Sequence, residues 1–295
     1  MLAVISDIHA NIHALNAVLS DIAEQPIDQV IVNGDLVNRG PNNLAVLERV
    51  WDLGYPTVLG NHDDLMRKWV ERAEDLPIEW FDAPFWRATG WSAEQLDDAG
   101  WIAPLAELPL THSVKLPNAP DILISHGSPR HYREGYGKRM PDEAISEILQ
   151  MHPADVLVGS HTHQPMERTW GPHQVYNTGA VGAPFNGDPR AQYLILTLRE
   201  GQWQPTFRKV PYDRTPALEA FETSGLLEAG GLSAHIFYAE LKNARSYLTP
   251  FWMWSEKQGL EQSWETWEGF QKAFPEYFRP PDEGRLPAQV STEPQ

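Results

Sequence analysis

The chain has 295 residues, 42% of them hydrophobic, which is enough to bury a sizeable core in one large domain or two ordinary ones. Its 40 acidic and 23 basic residues give a formal net charge of -17, which argues against nucleic-acid polymers and anionic membranes as partners. It contains no cysteine, so disulfides and thiolate metal sites are excluded, and any metal must bind to nitrogen and oxygen ligands.

The N-terminal segment has neither the charge nor the length of a targeting signal. Residues 1–7 lack a basic start, and their apolar run is shorter than that of a signal peptide. No uninterrupted apolar stretch of the sequence is long enough to span a bilayer. We therefore expect a cytoplasmic protein.

Five short apolar runs are each followed by a polar residue that could bind a metal. Runs of this length, rich in valine and isoleucine, indicate buried strands rather than helices. Between the first two runs, apolar residues recur at helical spacing from Ile12 to Ile22, as the crossover of a βαβ unit requires. The opening of the chain is therefore predicted to be α/β. The five predicted strands are residues 2–5, 30–32, 57–59, 122–124 and 156–158.

Later segments differ in composition and periodicity. Residues 64–108 interleave aromatic residues with acidic residues and prolines, which indicates a helical insertion. Three further strands are predicted at residues 174–177, 192–198 and 206–210. These runs imply a second sheet or an extension of the first.

The chain is predicted to become helical from residue 213. Thr215 is a candidate N-cap, Pro216 suits the first helical position, and Gly230 and Gly231 indicate a stop. Another helix is predicted to start after Ser263. The predicted organisation is a main domain over residues 1–212 that contains the insertion 64–108, a helical extension over 213–278, and a disordered tail over 279–295.

Seven side chains that follow the predicted strands form a candidate site for two metal ions. Taken singly, each has a structural explanation, such as the capping of a helix by Asp7. In open α/β sheets, however, ligands bind beyond the carboxyl ends of the strands, where these segments would converge. Together they supply oxygen and nitrogen ligands for two adjacent divalent cations, which Asp35 can bridge. The seven residues are Asp7, His9, Asp35, Asn61, His126, His161 and His163.

The charge of such a site suits an anionic substrate. Two divalent cations, two aspartates and a bridging hydroxide leave a net charge of about +1, which attracts a phosphoryl group despite the acidic surface. Two such cations lower the pKa of a shared water and contact both moving oxygens of an in-line displacement. The chemistry expected is hydrolysis without a covalent intermediate.

Five short motifs contain all seven candidate ligands. They are, in order, Asp7-Ile8-His9, Gly34-Asp35 with Gly40, Gly60-Asn61-His62-Asp63, His126-Gly127, and His161-Thr162-His163. This series resembles the calcineurin-like metallophosphoesterases over residues 2 to about 190, and within them the bacterial branch related to the diadenosine tetraphosphatases. The resemblance implies an α/β fold in which two mixed β-sheets pack as a sandwich flanked by helices.

The resemblance also implies a role for each site residue. It gives Asp7, His9, Asp35 and His163 to the first metal, and Asp35, Asn61, His126 and His161 to the second. His62 is implied to stabilise the transition state or to protonate the leaving oxygen, and Asp63 to orient His62. The implied cofactors are two divalent metal ions, with manganese expected first and iron, zinc, nickel and cobalt also suited to these ligands.

Three residues qualify the resemblance. Ser160 stands where the family usually has glycine, and Ala180 where it usually has serine. Arg39 resembles the arginine with which serine/threonine protein phosphatases bind phosphate. Those enzymes, however, have an aspartate where this chain has Asn38 and a glutamate where it has Asp63. A solvated turn residue is an equally good interpretation of Arg39.

Two further features have alternative interpretations. Basic residues between 130 and 139 form either a rim that faces phosphate or an ordinary exposed loop. The tryptophans are explained more simply by core packing than by base stacking. Four of them follow His62 and are candidates for a lid: Trp69, Trp80, Trp86 and Trp91.

We expect an enzyme that hydrolyses a phosphodiester or phosphomonoester of a small substrate, such as a nucleotide, by attack of a metal-bridged hydroxide. A serine/threonine protein phosphatase is the first alternative. A binding module that kept the fold and lost the chemistry is the second. The sequence makes no prediction of oligomeric state.

Overall fold

The computed structural model describes residues 1–279, so the predicted tail lies outside the described residues except for Arg279. The described part contains nine strands and ten α-helices. The strands are β1 (Leu2–Ile5), β2 (Gln29–Val32), β3 (Thr111–Val114), β4 (Ile122–Ser125), β5 (Val156–Gly159), β6 (Met166–Trp170), β7 (His173–Asn177), β8 (Ala191–Arg199) and β9 (Gln202–Val210). The helices are α1 (Ile12–Ala23), α2 (Asn43–Leu53), α3 (Asn61–Val70), α4 (Arg87–Asp98), α5 (Ile102–Ala106), α6 (Asp142–Met151), α7 (Thr215–Thr223), α8 (Leu226–Asn243), α9 (Leu248–Gln258) and α10 (Trp264–Ala273).

The strands form two mixed sheets, with orders β2-β1-β8-β9 and β3-β4-β5-β7-β6. Strand β1 pairs parallel with β2 and antiparallel with β8. Strands β4, β5 and β7 run parallel, while β3 and β6 are antiparallel edge strands. The predicted fold class, two mixed sheets flanked by helices, is confirmed.

Alternate residues of each central strand face different layers, as the two-residue period of a strand requires. Leu2 and Val4 of β1 pack in one cluster with Ile122 and Val156 of the second sheet, so the sheets lie face to face. Ala3 and Ile5 point the other way and pack against α1 and α2. Because both faces are covered, β1 is buried throughout, which explains why its sequence is a continuous apolar run.

Two details of the strand predictions differ from the structure. Residues 57–59 do not form a strand: Thr57 makes a single parallel bridge to Val32, because the chain leaves the sheet edge after one pair of main-chain hydrogen bonds. Strands β3 and β6 were not expected. Both are partly exposed edge strands, and polar residues such as Glu167 and Arg168 obscure their apolar periodicity.

The C-terminal helices follow the predicted order, but both ends of α7 differ from the prediction. Arg214 is the N-cap, Thr215 is the first helical residue, and the helix ends at Thr223, earlier than the predicted glycine stop. Gly231 instead breaks α8 internally, with φ 56° and ψ -137°. Helix α10 starts after Ser263, whose side chain caps it by accepting a hydrogen bond from the main-chain N–H of Thr266.

The C-terminal helices share a hydrophobic cluster with the region predicted to be an insertion. Phe85 and Ala88 pack there with Phe237 and Phe251. Gly230 permits this contact, since a Cβ at that position would lie 2.9 Å from the Cβ of Ala88. Among residues 1–279, no helix is long and apolar enough to cross a membrane.

Candidate metal centre

The seven predicted metal ligands converge at one edge of the sandwich. Asp7 and His9 follow β1, Asp35 follows β2, His126 follows β4, and His161 and His163 follow β5, while Asn61 is the first residue of α3. These four strands belong to two parallel pairs, so their carboxyl ends lie together. The structure therefore brings together residues that are up to 156 positions apart in sequence.

Four of these side chains form a first group. Asp7, His9, Asp35 and His163 each offer an atom, and the four atoms lie within 4.8 Å of one another. His163 Nε2 lies 3.2 Å from His9 Nε2 and 3.3 Å from Asp7 Oδ1. All four residues are buried. This is the set expected for the first metal.

A second group shares Asp35 with the first. Asp35, His126 and His161 offer atoms within 4.8 Å of one another. His126 Nε2 lies 3.2 Å from both Asp35 Oδ2 and Asn61 Oδ1. Asp35, which the sequence predicts to bridge two metals, is the residue that the two groups have in common.

The hydrogen bonds around the two groups leave electron pairs facing each other. The Nδ1–H of His126 donates to the carbonyl oxygen of Asn33 at 2.8 Å, and that of His163 donates to the carbonyl oxygen of Ala183 at 2.5 Å. When these rings are neutral, as metal coordination requires, their Nε2 atoms are lone-pair acceptors that face carboxylate oxygens. Among the described residues, Asp7 Oδ1 and Asp35 Oδ2 are buried without a hydrogen-bond donor.

Such an arrangement requires positive charge at its centre. Burial lowers the pKa of His126, but the carboxylates of Asp35 and Asp7 outweigh burial and raise it to about 10. Burial also raises the pKa of Asp7 to about 8. Buried, unpaired carboxylate oxygens are costly unless they are protonated or coordinate a cation. The donor set of nitrogen and carboxylate oxygen fits two borderline divalent metals.

The backbone at the centre adopts conformations that non-glycine residues rarely use. Of the twelve non-glycine residues with positive φ among residues 1–279, five are candidate ligands. Left-handed conformations of this kind are costly for most side chains and are concentrated at functional sites. The five are Asp7, His9, Asp35, His161 and His163, with φ between 47° and 64°.

Asp63 connects the start of α3 to the loop that contains Asp35. Its carboxylate accepts hydrogen bonds from the main-chain N–H groups of Asp35 at 2.8 Å, Leu36 at 2.9 Å and Gly60 at 3.0 Å. Gly60 is required here, because a Cβ would lie 2.1 Å from the nitrogen of Asp35. The side chain that hydrogen-bonds to the His62 ring is Asn38, whereas the resemblance gave the orientation of that ring to Asp63.

Arg39 lies beside the centre, in a buried environment. Its guanidinium forms an ion pair with Glu240 of α8 and contacts the faces of Phe185 and Phe237, at 5.2 and 5.1 Å from the ring centroids. Its side chain is 9% exposed, which excludes the solvated turn interpretation. Phe185 also stacks on His163, with ring centroids 4.2 Å apart. The pairing with Glu240 was not foreseen, since 201 residues separate the two.

The remaining candidates have more ordinary surroundings. Arg130 forms ion pairs with Glu134 and Glu147, so part of the charge of the basic cluster is neutralised. Ser160 places its hydroxyl 3.1 Å from the carbonyl oxygen of Asn33, among the groups that hold His126. Ala180 is fully buried.

The four tryptophans proposed as a lid are half-buried. Trp80 stacks on Trp86 with centroids 4.0 Å apart, and both contact Trp252 of α9 edge-on. Trp69, Trp86 and Trp91 line a cavity of about 250 Å³ that lies along α3 and α4. The lid role stays a prediction.

Comparison with known proteins identifies the family. Residues 1–165 match the family model of the calcineurin-like phosphoesterases. The chain belongs to this family. Its resemblance to calcineurin-like phosphoesterases, inferred from the five motifs, is therefore confirmed.

Individual relatives and one solved structure extend the comparison. The chain is 29% identical to an uncharacterized protein of Methanocaldococcus jannaschii over 243 residues, which cover 77% of this chain and 94% of the relative. The crystal structure of a metallophosphoesterase from Sphaerobacter thermophilus superimposes with a TM-score of 0.63 at 27% identity, covering 82% of this chain and 98% of that one. The symmetrical bis(5'-nucleosyl)-tetraphosphatase of Erwinia tasmaniensis is 47% identical over 62 residues, which are 20% of this chain and 23% of that enzyme.

Proposed function

We propose that the protein is a hydrolase that uses two divalent cations to cleave a phosphoester of a small substrate. The observation that carries this proposal is the shared position of Asp35, which belongs to both groups of metal-binding side chains. When bound, the cations supply the Lewis acidity that activates water and neutralises the charge of the phosphoryl group. Asp7 and Asp35 balance part of that charge, so the site remains attractive to an anion.

We assign His62 a role on the substrate rather than on the metals. Its main-chain N–H donates to Asp35 Oδ1 at 2.7 Å, and its ring lies edge-on to His9 with centroids 4.9 Å apart. Burial lowers the pKa of His62 to about 3, so the ring is neutral at neutral pH and carries one N–H. That N–H is suited to stabilise charge on the phosphoryl group or on the leaving oxygen.

The proposal is tested with two chromogenic esters. Protein loaded with Mn²⁺ is expected to hydrolyse bis-p-nitrophenyl phosphate, p-nitrophenyl phosphate or both, and the His62→Ala variant is expected to lose ~10²–10⁴-fold in kcat. A folded protein that binds two Mn²⁺ ions and hydrolyses neither ester would overturn the proposal. That outcome would favour the alternative of a non-catalytic binding module.

A nucleotide is the substrate class that we favour. The similarity to a bis(5'-nucleosyl)-tetraphosphatase supports it, although only over 62 residues. The cavity lined by Trp69, Trp86 and Trp91 supports it as well. Trp69 follows Asn61 by eight residues in α3, so the side of the cavity that Trp69 forms lies about 12 Å along the helix from the metal centre. Half-buried indole rings hold nucleobases by stacking.

The cavity separates the nucleotide proposal from the protein phosphatase alternative. Trp91→Ala is expected to raise KM for a dinucleoside polyphosphate by about 10-fold and to leave KM for p-nitrophenyl phosphate unchanged, because stacking contributes ~1–3 kcal/mol per base. Trp264→Ala is the matched control, since Trp264 is 49% exposed on α10. Faster release of phosphate from phosphoserine peptides than from nucleotides would instead favour the protein phosphatase.

A further inference from the structure

The loop between β4 and α6 lies against the second group of candidate ligands; we call its residues 128–139 the rim loop. Gly135 contacts His161 so closely that a Cβ at the glycine would lie 3.1 Å from Cδ2 of the ring. A Cβ at Gly127, which directly follows another candidate ligand, would lie 2.5 Å from the carbonyl oxygen of Tyr132. The main chain between Tyr132 and Gly135 therefore passes beside the second group.

This stretch of the rim loop is fixed at both ends. The hydroxyl of Tyr132 donates to Asp64 Oδ2 at 2.6 Å and accepts a hydrogen bond from Lys68 Nζ at 3.0 Å, so the loop is connected to α3. Tyr136 is 1% exposed, and its main-chain carbonyl oxygen accepts a hydrogen bond from Asn177 Nδ2 at 2.9 Å. A side chain between these two tyrosines is therefore presented to solvent from an anchored main chain.

Arg133 lies in this stretch, and its charge is not neutralised by a neighbour. Arg130 forms ion pairs with Glu134 and Glu147, whereas no carboxylate among residues 1–279 forms an ion pair with Arg133. The side chain of Arg133 is exposed, and its main-chain N–H donates to His131 Nδ1 at 3.0 Å. The guanidinium is thus free to bind an anion.

The charge of Arg133 reaches the second group of ligands. Burial is the largest cause that lowers the pKa of His161 to about 4, and the positive charge of Arg133 is among the causes that lower it further. Arg39 acts on the same ring, but its side chain is 9% exposed and forms an ion pair with Glu240. Of these two arginines, Arg133 is the one that is available to a ligand.

We propose that Arg133 is a specificity-determining residue that binds a second phosphate group, adjacent to the phosphoryl group at the metal centre. Neighbouring phosphates of an anhydride chain share one bridging oxygen, so the second phosphate must lie at the edge of the centre. The guanidinium fork of an arginine matches two oxygens of such a group. The substrate class is therefore a phosphate ester that carries a phosphoanhydride chain. The inference rests on the proposed function for its catalytic consequence.

Calorimetry with two anions tests the proposal without turnover. Protein loaded with Mn²⁺ is titrated with orthophosphate, which has one phosphorus, and with methylenediphosphonate, whose two phosphorus atoms are joined by carbon. Arg133→Gln is expected to weaken binding of the diphosphonate by at least ~10-fold and binding of orthophosphate by less than about two-fold, because one charge-assisted contact is lost. Elemental analysis after each titration verifies that the metals stay bound.

Arg139→Gln is the matched control, because it removes the same charge from the same loop. Arg139 is exposed and precedes Met140, whose carbonyl oxygen accepts a hydrogen bond from Arg168 of β6. This substitution is expected to change the affinity for either anion by less than about two-fold. Equal weakening by Arg133→Gln and Arg139→Gln, equal weakening for both anions, or unchanged binding of the diphosphonate would overturn the inference.

Turnover provides a second measurement. Arg133→Gln is expected to raise KM for a dinucleoside polyphosphate by at least ~10-fold and to change its kcat by less than about two-fold, since the lost contact is to a phosphate that does not react. A fall in kcat for a p-nitrophenyl ester would contradict this role, because it would place Arg133 on the reacting phosphoryl group. A protein that shows Arg133-dependent binding of the diphosphonate but hydrolyses no ester would refute only the proposed function.

Discussion

Arg39 and Glu240 form a buried ion pair that joins the turn after β2 to helix α8. The other carboxylate oxygen of Glu240 accepts hydrogen bonds from the main-chain N–H groups of Tyr247 and Leu248, at 2.6 and 2.8 Å. Glu240 therefore bonds both to Arg39, beside the metal centre, and to the start of α9. The C-terminal helices are in this way attached directly to the edge of the candidate site.

Glu240→Gln is expected to lower the free energy of unfolding by about 3 kcal/mol, because it leaves the buried Arg39 guanidinium without a counter-charge. Chemical denaturation measures the change. The exposed pair of Lys272 and Glu268 provides the control, and Glu268→Gln is expected to change stability by less than about 0.5 kcal/mol. If Glu240→Gln changed the free energy of unfolding as little as Glu268→Gln is expected to, the buried pair would add nothing to stability.

Asp63→Asn is expected to destabilise the protein by about 2 kcal/mol, since an amide NH₂ would face main-chain N–H groups that now bond to a carboxylate. Metal affinity is expected to fall as well, because these N–H groups position the loop of Asp35. Denaturation and metal titration are the measurements. Asp52→Asn, on the exposed face of α2, serves as the control, and a stable Asp63→Asn protein with wild-type affinity would contradict the assigned role.

Asp35→Ala is expected to bind less than about one metal ion per chain, since its carboxylate belongs to both groups of ligands. His62→Ala is expected to retain both ions and to lose turnover. Elemental analysis of the dialysed proteins separates these outcomes. A metal-free His62→Ala protein would show that His62 acts as a ligand.

Asp188 is expected to contribute to stability in a pH-dependent manner. Burial alone would raise its pKa, but hydrogen bonds from Arg190 and Lys209 outweigh burial and lower it from 3.8 to about 2. Because the folded-state pKa is the lower one, the stabilisation is complete above pH 3.8 and is lost as the pH falls towards 2. Asp188→Asn should lose this part of the pH dependence, and an unchanged unfolding profile between pH 6 and 2 would contradict it.

The sequence indicated which side chains would lie together because each candidate ligand follows a short, continuous apolar run. Four of those runs, all except residues 57–59, form strands, and parallel strands bring their carboxyl ends together. The sequence did not reveal the partners of the site residues. Asn38 and His62 are 24 residues apart, and Arg39 and Glu240 are 201 residues apart, so neither contact follows from local periodicity.

The edge strands show why the rest of the fold was harder to predict. Strand β6 exposes Glu167 and Thr169 to solvent and has the half-buried Arg168 between them, so its alternation of polar and apolar residues is weak. The run at residues 57–59 has the composition of a strand but lies outside the hydrogen-bonding pattern after one bridge. Composition identifies apolar segments, whereas their pairing depends on the neighbours that the fold supplies.

The central claim, that two cations bridged by Asp35 support hydrolysis, is tested most directly by one titration. Metal-depleted protein is titrated with Mn²⁺ while bound metal and hydrolysis of bis-p-nitrophenyl phosphate and p-nitrophenyl phosphate are followed together. We expect turnover of at least one ester to rise until two ions are bound per chain and then to stay constant. Full turnover with one bound ion, or no turnover of either ester with two, would contradict the account.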